Sequence, residues 1–285
     1  MTPLARIAAV TAVAAFAIAT PLVAQTPATL KTTELGKGPT LVLVHSMGGA
    51  RMQWMPTARK LIGGYHVVLV DLPGHGDSPL PDPFSMDVCA TQLDQVLAKQ
   101  KGESTIVVGH GLGGALAVLA AKQHPEHVKG VLVIDAALKS PFQQIPEQQR
   151  KYFIDYLNNA TPEQFNEVLK SMFVRMGRDS AQGVEIFARA SLVPSSTMKA
   201  YLQQLMYFDG SAALKDFKPP LMYVGSSRSW PDTTKWESLA KERGYEGAPV
   251  ATRRIANAGY LIMSDQPDSL AAAIDAFAKQ VIAKK

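Results

Sequence analysis

Five short, nearly uninterrupted apolar runs constrain the fold of this chain more than any other feature of its sequence. Runs that are apolar at almost every position, rather than at every second one, are typical of parallel strands covered by helices on both faces. Helical patterns separate the runs, so the alternation predicts an α/β fold with a doubly wound, mostly parallel sheet. The runs lie at 40–45, 66–71, 104–109, 130–135 and 220–225, a sixth strand is predicted at 250–255, and helices are predicted at 51–62, 85–100, 111–124 and 267–282.

One long interval, 139–217, departs from this alternation. It contains helical patterns without a convincing strand, and the sequence TPEQ at 161–164 is typical of a helix start, with a capping threonine followed by proline. We therefore predict a helical insertion at 139–217, between two strands of a core that is formed by 25–138 and 218–285.

Residues 1–24 are predicted to be a secretory signal peptide, because Arg6 precedes an apolar run that ends in small residues. Cleavage is expected after Ala19 or after Ala24. An uncleaved membrane anchor is the alternative, since the run approaches the length that spans a bilayer, but Pro21 and the abundance of alanine argue against it. We expect a bacterial protein that is periplasmic or secreted, with no stable membrane anchor after cleavage.

Composition excludes several classes of protein. The single cysteine, Cys89, rules out an intramolecular disulfide framework and a cysteine-based zinc cluster. The net charge of +5 is spread along the chain without a run of Lys or Arg, so no nucleic-acid partner is predicted. His124 and His127 are the only close histidine pair, and we interpret them as the solvated end of a helix. Neither a metal site nor a cofactor is predicted.

Five local motifs occur in a fixed order, each next to a predicted strand. Together they resemble the α/β-hydrolase superfamily over 30–138 and 215–285, and the resemblance implies that 139–217 is the helical cap of that fold. The motifs are LVHSMGG at 43–49, DLPGHGDS at 71–78, VVGHGLGG at 107–114, PLMYVG at 220–225, and NAGY at 257–260 followed by DQP at 265–267.

Three functional positions of that family are changed in this chain. The nucleophile position, at the centre of the Gly-x-Ser-x-Gly elbow, is Gly111, which has no side chain to form an acyl-enzyme. The acid position is Arg228, and the base position is Tyr260, a poor general base at neutral pH. No histidine follows His127, although the family's base comes last in the chain. The resemblance therefore implies a hydrolase fold without its usual Ser–acid–His triad.

Catalysis by other residues stays open. Ser46 lies in the predicted oxyanion loop, His45 and His110 flank the same region, and Asp135 ends a strand where some family members carry their acid. We expect His45 to brace the loop and His110 to pack beneath the elbow. A catalytic role for Ser46, His45, His110 or Asp135 is therefore the weaker alternative.

A ligand cavity at the elbow is also predicted. If the fold is kept, the backbone amides of Met47 and Leu112 would face an anion, and the elbow helix would point its N-terminus at it. Three functions are therefore open: a non-catalytic protein that binds a small apolar or carboxylate-bearing ligand, an active hydrolase with non-standard catalytic residues, and a protein-interaction scaffold whose partner the sequence does not specify. The predicted ligand-binding residues are Ser46, Met47, Gly111, Leu112 and Tyr260.

Overall fold

A seven-stranded sheet forms the centre of the computed structural model, which describes residues 29–283. The strand order is β1-β3-β2-β4-β5-β6-β7, in which β1 is antiparallel to β3 and every other pair is parallel. This arrangement confirms the predicted α/β class and the mostly parallel sheet. The strands are β1 (Thr32–Gly36), β2 (Thr40–Val44), β3 (His66–Val70), β4 (Thr105–His110), β5 (Gly130–Ile134), β6 (Leu221–Ser226) and β7 (Val250–Ile255).

Helices cover the sheet. Strands β2, β4 and β5 are buried at every position, as their continuous apolar sequences require. Helix α1 packs against α10, and α2 packs against α3. The helices are α1 (Met55–Leu61), α2 (Met86–Leu97), α3 (Leu112–Gln123), α4 (Glu147–Asn159), α5 (Pro162–Phe173), α6 (Ser180–Ala190), α7 (Ser195–Leu205), α8 (Trp236–Arg243), α9 (Ile262–Asp265) and α10 (Pro267–Ile282).

The interval between β5 and β6 is helical, and helices α4 to α7 lie within it. Its two ends are adjacent, because Lys139 and Asp209 form an isolated antiparallel bridge. Helix α5 begins with the predicted N-terminal capping threonine. The Thr161 hydroxyl accepts a hydrogen bond from the Gln164 backbone amide, and the Gln164 side chain accepts one from the Thr161 backbone amide. The interval therefore forms a helical insertion closed at its base, which we call the cap.

Two contacts fix the cap over the carboxyl ends of the strands. The buried Tyr201 hydroxyl of α7 donates to the Pro73 carbonyl at 3.0 Å. The side-chain amide of Gln182 in α6 and the guanidinium of Arg178 donate to the Asp265 carboxylate at 2.7 and 2.8 Å. These contacts hold the cap against the loop that follows β3 and against the end of helix α9.

The predicted signal peptide lies outside the described residues. Within residues 29–283, no helix combines the length and apolar character needed to cross a membrane.

Candidate functional site

The turn between β4 and α3 has a backbone conformation that favours glycine. Gly111 adopts φ 52° and ψ −119°, a region where a residue with a Cβ costs about 1–3 kcal/mol. Its amide donates to the Ile134 carbonyl at 2.8 Å, and its carbonyl accepts from the Gly114 amide at 3.0 Å. The sharp strand-to-helix turn is thus retained, with its apex held by hydrogen bonds.

The hydroxyl of Ser46 lies directly beside this apex. The Leu112 amide, the first of α3, donates to Ser46 Oγ at 3.1 Å, and the Tyr260 hydroxyl donates to the same oxygen at 2.6 Å. Ser46 is 4% exposed. The elbow amide, which would otherwise be free to face a substrate oxygen, is therefore occupied by a side chain of the protein itself.

The same two side chains fill the space that a residue at 111 would need. A Cβ built on Gly111 would lie 2.6 Å from the Tyr260 hydroxyl and 2.9 Å from Ser46 Cβ, and closer still to Ser46 Oγ. Contacts this short do not occur between well-packed atoms, so a larger residue at 111 must displace the Ser46–Tyr260 pair.

Two buried histidines brace the Ser46 loop. His45 Nδ1 donates to the Ser46 carbonyl at 2.7 Å, and its Nε2 accepts from the Leu72 amide at 3.0 Å. His75 likewise donates from Nδ1 to the Pro73 carbonyl and accepts from the Gly48 amide at Nε2, both at 3.0 Å. Burial lowers the pKa of His45 to about 4 and that of His75 to about 3. Both rings are therefore neutral at pH 7, with both nitrogens engaged.

Neither ring next to Ser46 has the pKa of a general base tuned to neutral pH. Burial raises the pKa of the Tyr260 hydroxyl to about 12, so it remains protonated and serves as a donor. The His110 ring packs against the Tyr260 ring with centroids 4.3 Å apart, and burial lowers the pKa of His110 to about 3.

A buried carboxylate ends β5, on the far side of Tyr260. Asp135 adopts a left-handed φ of 47°, and its Oδ1 accepts from the Ser226 amide at 2.8 Å and from the Ser229 hydroxyl. Its Oδ2 has no hydrogen-bond partner among the described residues. Burial raises the pKa of Asp135, and the positive charge of Arg243 acts in the opposite direction. One oxygen of this carboxylate is thus buried without a hydrogen-bond partner among the described residues.

Two cavities meet at Asp135 and Tyr260. The first, about 220 Å³, lies between the elbow and the cap, and the second, about 230 Å³, is lined by Arg175, Arg228 and Ser229. The Arg228 side chain donates to the Arg175 carbonyl and so connects the loop after β6 to the cap. The first cavity, called the elbow cavity below, is lined by Ser46, Met47, Gly111, Leu112, Asp135, Ala137, Ser140, Pro141, Phe142, Met172, Phe173, Met176, Leu205, Phe208, Arg243 and Tyr260.

Residues 41–273 match the model of the Alpha/beta hydrolase family. The chain belongs to the alpha/beta hydrolase family. It is 34% identical over 113 residues to the pimeloyl-[acyl-carrier protein] methyl ester esterase of Pseudoalteromonas atlantica, a match that covers 39% of this chain and 42% of that protein. It is 24% identical over 260 residues to the sn-1-specific diacylglycerol lipase ABHD11 of Mus musculus, which covers 84% of this chain and 80% of the lipase. The chain thus spans less than half the length of the first of these relatives.

Solved hydrolases share the fold. An esterase from Thermogutta terrifontis superposes with a TM-score of 0.72 at 18% identity, over 88% of this chain and 93% of the esterase. The enol-lactonase from Burkholderia xenovorans gives a TM-score of 0.69 at 16% identity, over 87% of this chain and 95% of the lactonase. At these identities the likeness shows the fold alone.

The structure brings together all five predicted ligand-binding residues around the elbow cavity. It does not place Arg228 there, because that side chain lines the second cavity. Asp135 makes its hydrogen bonds with Ser226 and Ser229 rather than with His110 or Ser46. No hydrogen-bonded Ser–His–acid chain therefore occurs among these side chains within residues 29–283.

Arg243 and Ser229 contribute to the two cavities but were not predicted from sequence. Arg243 is the last residue of α8, and it enters the elbow cavity from a part of the chain without a motif. Ser229 stands within the stretch SSRS at 226–229 that the sequence identified as lacking an acid. The sequence of this stretch shows only that the family's acid is missing. It does not show the contact of Ser229 with Asp135, because these residues lie far apart in the chain.

Proposed function

We propose that this member of the hydrolase family binds a small, largely apolar ligand in the elbow cavity and does not use conventional serine-hydrolase chemistry. One observation carries the proposal. The Ser46 Oγ accepts hydrogen bonds from the elbow amide, which is that of Leu112, and from the Tyr260 hydroxyl, so the elbow amide is already engaged. A substrate oxygen would have to displace this internal hydroxyl before the amide could stabilise it.

Ser46 is poorly placed to act as the nucleophile itself. An activated serine needs a base that takes its proton, and the groups that contact its oxygen are both donors. The pKa of Tyr260 is raised to about 12, and both nitrogens of His45 are already hydrogen-bonded. The arrangement therefore favours a structural hydroxyl over a reactive one.

The cavity itself favours a compact, neutral ligand with a hydroxyl group. Its volume of about 220 Å³ equals about seven water molecules at the density of the liquid, and most of its lining side chains are apolar. Asp135 lines this cavity and its buried Oδ2 has no partner among the described residues, so a ligand that donates a hydrogen bond is better matched there than a carboxylate. Arg243 lines the same cavity and balances the charge of Asp135.

Three ligands of nearly one shape test this assignment: benzyl alcohol, toluene and benzoate. Backbone NMR titrations should show shifts at Leu112 and Tyr260, with benzyl alcohol bound most tightly at a Kd of about 1 mM. In Asp135→Asn the amide oxygen should keep the Ser226 contact, so the NH₂ group faces the cavity and the preference should move towards benzoate. The exposed Asp232→Asn is the matched control. Tightest binding of benzoate by the wild type would favour a carboxylate ligand instead, and no binding by any of the three would favour a scaffold.

Ester hydrolysis is tested separately. We expect the wild type, Ser46→Ala and His110→Ala to hydrolyse p-nitrophenyl butyrate no faster than buffer does. If the wild type hydrolyses the ester and either substitution abolishes that activity, the protein is an active hydrolase that uses relocated residues, and this proposal is wrong. The esterase and lipase relatives support that alternative.

We propose export through the N-terminal segment as well, on its sequence pattern. Fractionation of the expressing bacterium followed by intact-mass measurement should find a periplasmic or secreted chain that begins at Thr20 or Gln25. A cytoplasmic chain of full length would contradict this part of the proposal.

A further inference from the structure

A second group of chemically active side chains lies far from the elbow. It is formed by Asp94 of α2 and by His124 and His127, which follow the end of α3. Helix α3 begins at the elbow and has 12 residues, so the group lies about 18 Å from it along the helix axis. Any role of this cluster is therefore separate from that of the elbow cavity.

The two imidazoles converge on the Asp94 carboxylate. His127 Nδ1 lies 2.7 Å from Asp94 Oδ1, and His124 Nε2 lies 3.8 Å from Asp94 Oδ2. The rings stack with centroids 5.0 Å apart and planes 18° apart, and one ligand atom from each residue falls within 4.8 Å of the others. The two distances run to different oxygens of Asp94, and zinc at about 2.0 Å from each ligand atom needs separations of about 3.3 Å, so the imidazole rings must turn to bind one ion.

Glu126 orients the opposite edges of both rings. Its Oε1 lies 3.0 Å from His124 Nδ1 and 3.9 Å from His127 Nε2. Each ring therefore has one nitrogen facing Asp94 and the other facing a carboxylate. Metal-bound histidines commonly donate their second N–H to such a carboxylate, which fixes the tautomer and raises the basicity of the ligating nitrogen.

Burial distinguishes this arrangement from an ordinary surface ion pair. The side chain of Asp94 is 10% exposed, whereas those of His127 and His124 are 27% and 49% exposed. The carboxylate is thus fixed in the protein, and the imidazoles stay open to solvent. The sequence suggested a solvated helix end because Asp94 reaches the pair from another helix, 33 residues away from His127.

We propose that Asp94, His124 and His127 form a binding site for a divalent transition-metal ion of the zinc type, with water completing the coordination. Carboxylate oxygen and neutral imidazole nitrogen are ligands that zinc accepts, and three protein ligands leave one tetrahedral position open. His124 binds through Nε2 and keeps its Nδ1 proton on Glu126. His127 binds through Nδ1, and its proton moves to Nε2, which faces the same carboxylate. The bound ion links α2 to the end of α3.

The test uses the untagged chain, freed of metal with EDTA, and isothermal titration with ZnCl₂ at pH 7.5. One ion should bind per chain with a Kd in the micromolar range, and the melting temperature should rise by about 5 °C at saturating zinc. His124→Ala and His127→Ala should each weaken binding about tenfold or more, and Glu126→Gln by about tenfold. Co²⁺ should give the intense visible absorption of a tetrahedral site.

His66→Ala is the matched control, because His66 and Glu34 form a partly exposed pair 3.0 Å apart with no third metal-ligand residue beside it among residues 29–283. This variant should bind zinc as the wild type does. The proposal fails if wild-type binding is absent, if the His124→Ala/His127→Ala double variant binds equally well, or if His66→Ala loses binding to the same degree. The side chain of His124 is half exposed, so His124→Ala tests the site without removing the 2.7 Å contact between His127 and the buried Asp94 carboxylate.

Discussion

Replacing Gly111 with alanine should lower the free energy of unfolding by about 4 kcal/mol. The backbone conformation at φ 52° contributes about 1–3 kcal/mol of strain once a Cβ is present. Overlap of that Cβ with Ser46 and Tyr260 adds about 1–3 kcal/mol, the usual cost of overpacking. The chain has little freedom to relax, because the Gly111 amide is held by the Ile134 carbonyl at 2.8 Å.

Two other glycines separate the contributions. Gly247 has φ 74° and nothing within 4 Å of a built Cβ, so Gly247→Ala reports backbone strain without overlap. Gly63 has an ordinary φ and equally open surroundings, so Gly63→Ala reports neither. A third comparison places Gly111→Ala in a Ser46→Gly background, which removes the overlapping hydroxyl and its Cβ and leaves the strain and the overlap with the Tyr260 hydroxyl.

Urea unfolding followed by circular dichroism measures all of these variants. We expect losses of about 4 kcal/mol for Gly111→Ala and about 1–2 kcal/mol for Gly247→Ala, with a gain below about 1 kcal/mol for Gly63→Ala. The Ser46→Gly background should recover about 1–2 kcal/mol of the Gly111→Ala loss, measured as a double-mutant coupling, because the overlap with Tyr260 remains. A Gly111→Ala loss no larger than that of Gly247→Ala, or the absence of coupling, would refute the packing described at the elbow.

Three further predictions concern the same region. Tyr260→Phe should lower the free energy of unfolding by about 1 kcal/mol in urea, because the hydroxyl that donates to Ser46 at 2.6 Å is lost, and an unchanged value would contradict that bond. Stability should fall between pH 6.5 and 5 by up to about 1.4 kcal/mol per pH unit for each of His45, His75 and His110, since the unfolded chain takes up protons at their ordinary pKa whereas burial lowers the folded-state pKa to about 4, about 3 and about 3. Equal stability at pH 7 and pH 5 would argue against neutral rings. Gly111→Ser should not raise p-nitrophenyl butyrate hydrolysis above the wild-type rate, because its hydroxyl would meet Tyr260 rather than a base, and a clear gain would show that a base is available.

The central sheet was predictable because its strands are apolar at nearly every position. Strands β2 to β6 are confirmed within one or two residues of their predicted limits. Strand β1 was missed, since its sequence TTELG is only partly buried at the sheet edge and contains one aliphatic residue. Helix α8 was missed for a similar reason: WESLAKER buries only Leu239 and Ala240, too few for an apolar stripe.

In the site as well, features fixed by local sequence were predictable, whereas contacts between distant residues were not. Gly111 was identifiable as the elbow apex because five motifs fixed its place between a strand and a helix. The contact of Tyr260 with Ser46 joins residues 214 positions apart, and that of Ser229 with Asp135 joins residues 94 positions apart. No local pattern encodes such pairs, so the sequence revealed which family residues were replaced but not what their replacements do.

The side chain of Ser46 and the changed residues Gly111 and Tyr260 depend on one another. The missing Cβ at 111 leaves the space in which the Tyr260 hydroxyl reaches Ser46, and a Cβ there would separate them. Ser46 in turn supplies the acceptor that the Leu112 amide needs in a buried turn, in the absence of a substrate. A single family-like residue restored at 111 therefore breaks packing without creating a catalytic pair. The polar groups at the elbow thus satisfy one another's hydrogen bonds, and this closure supports the proposed ligand binding without conventional serine-hydrolase chemistry.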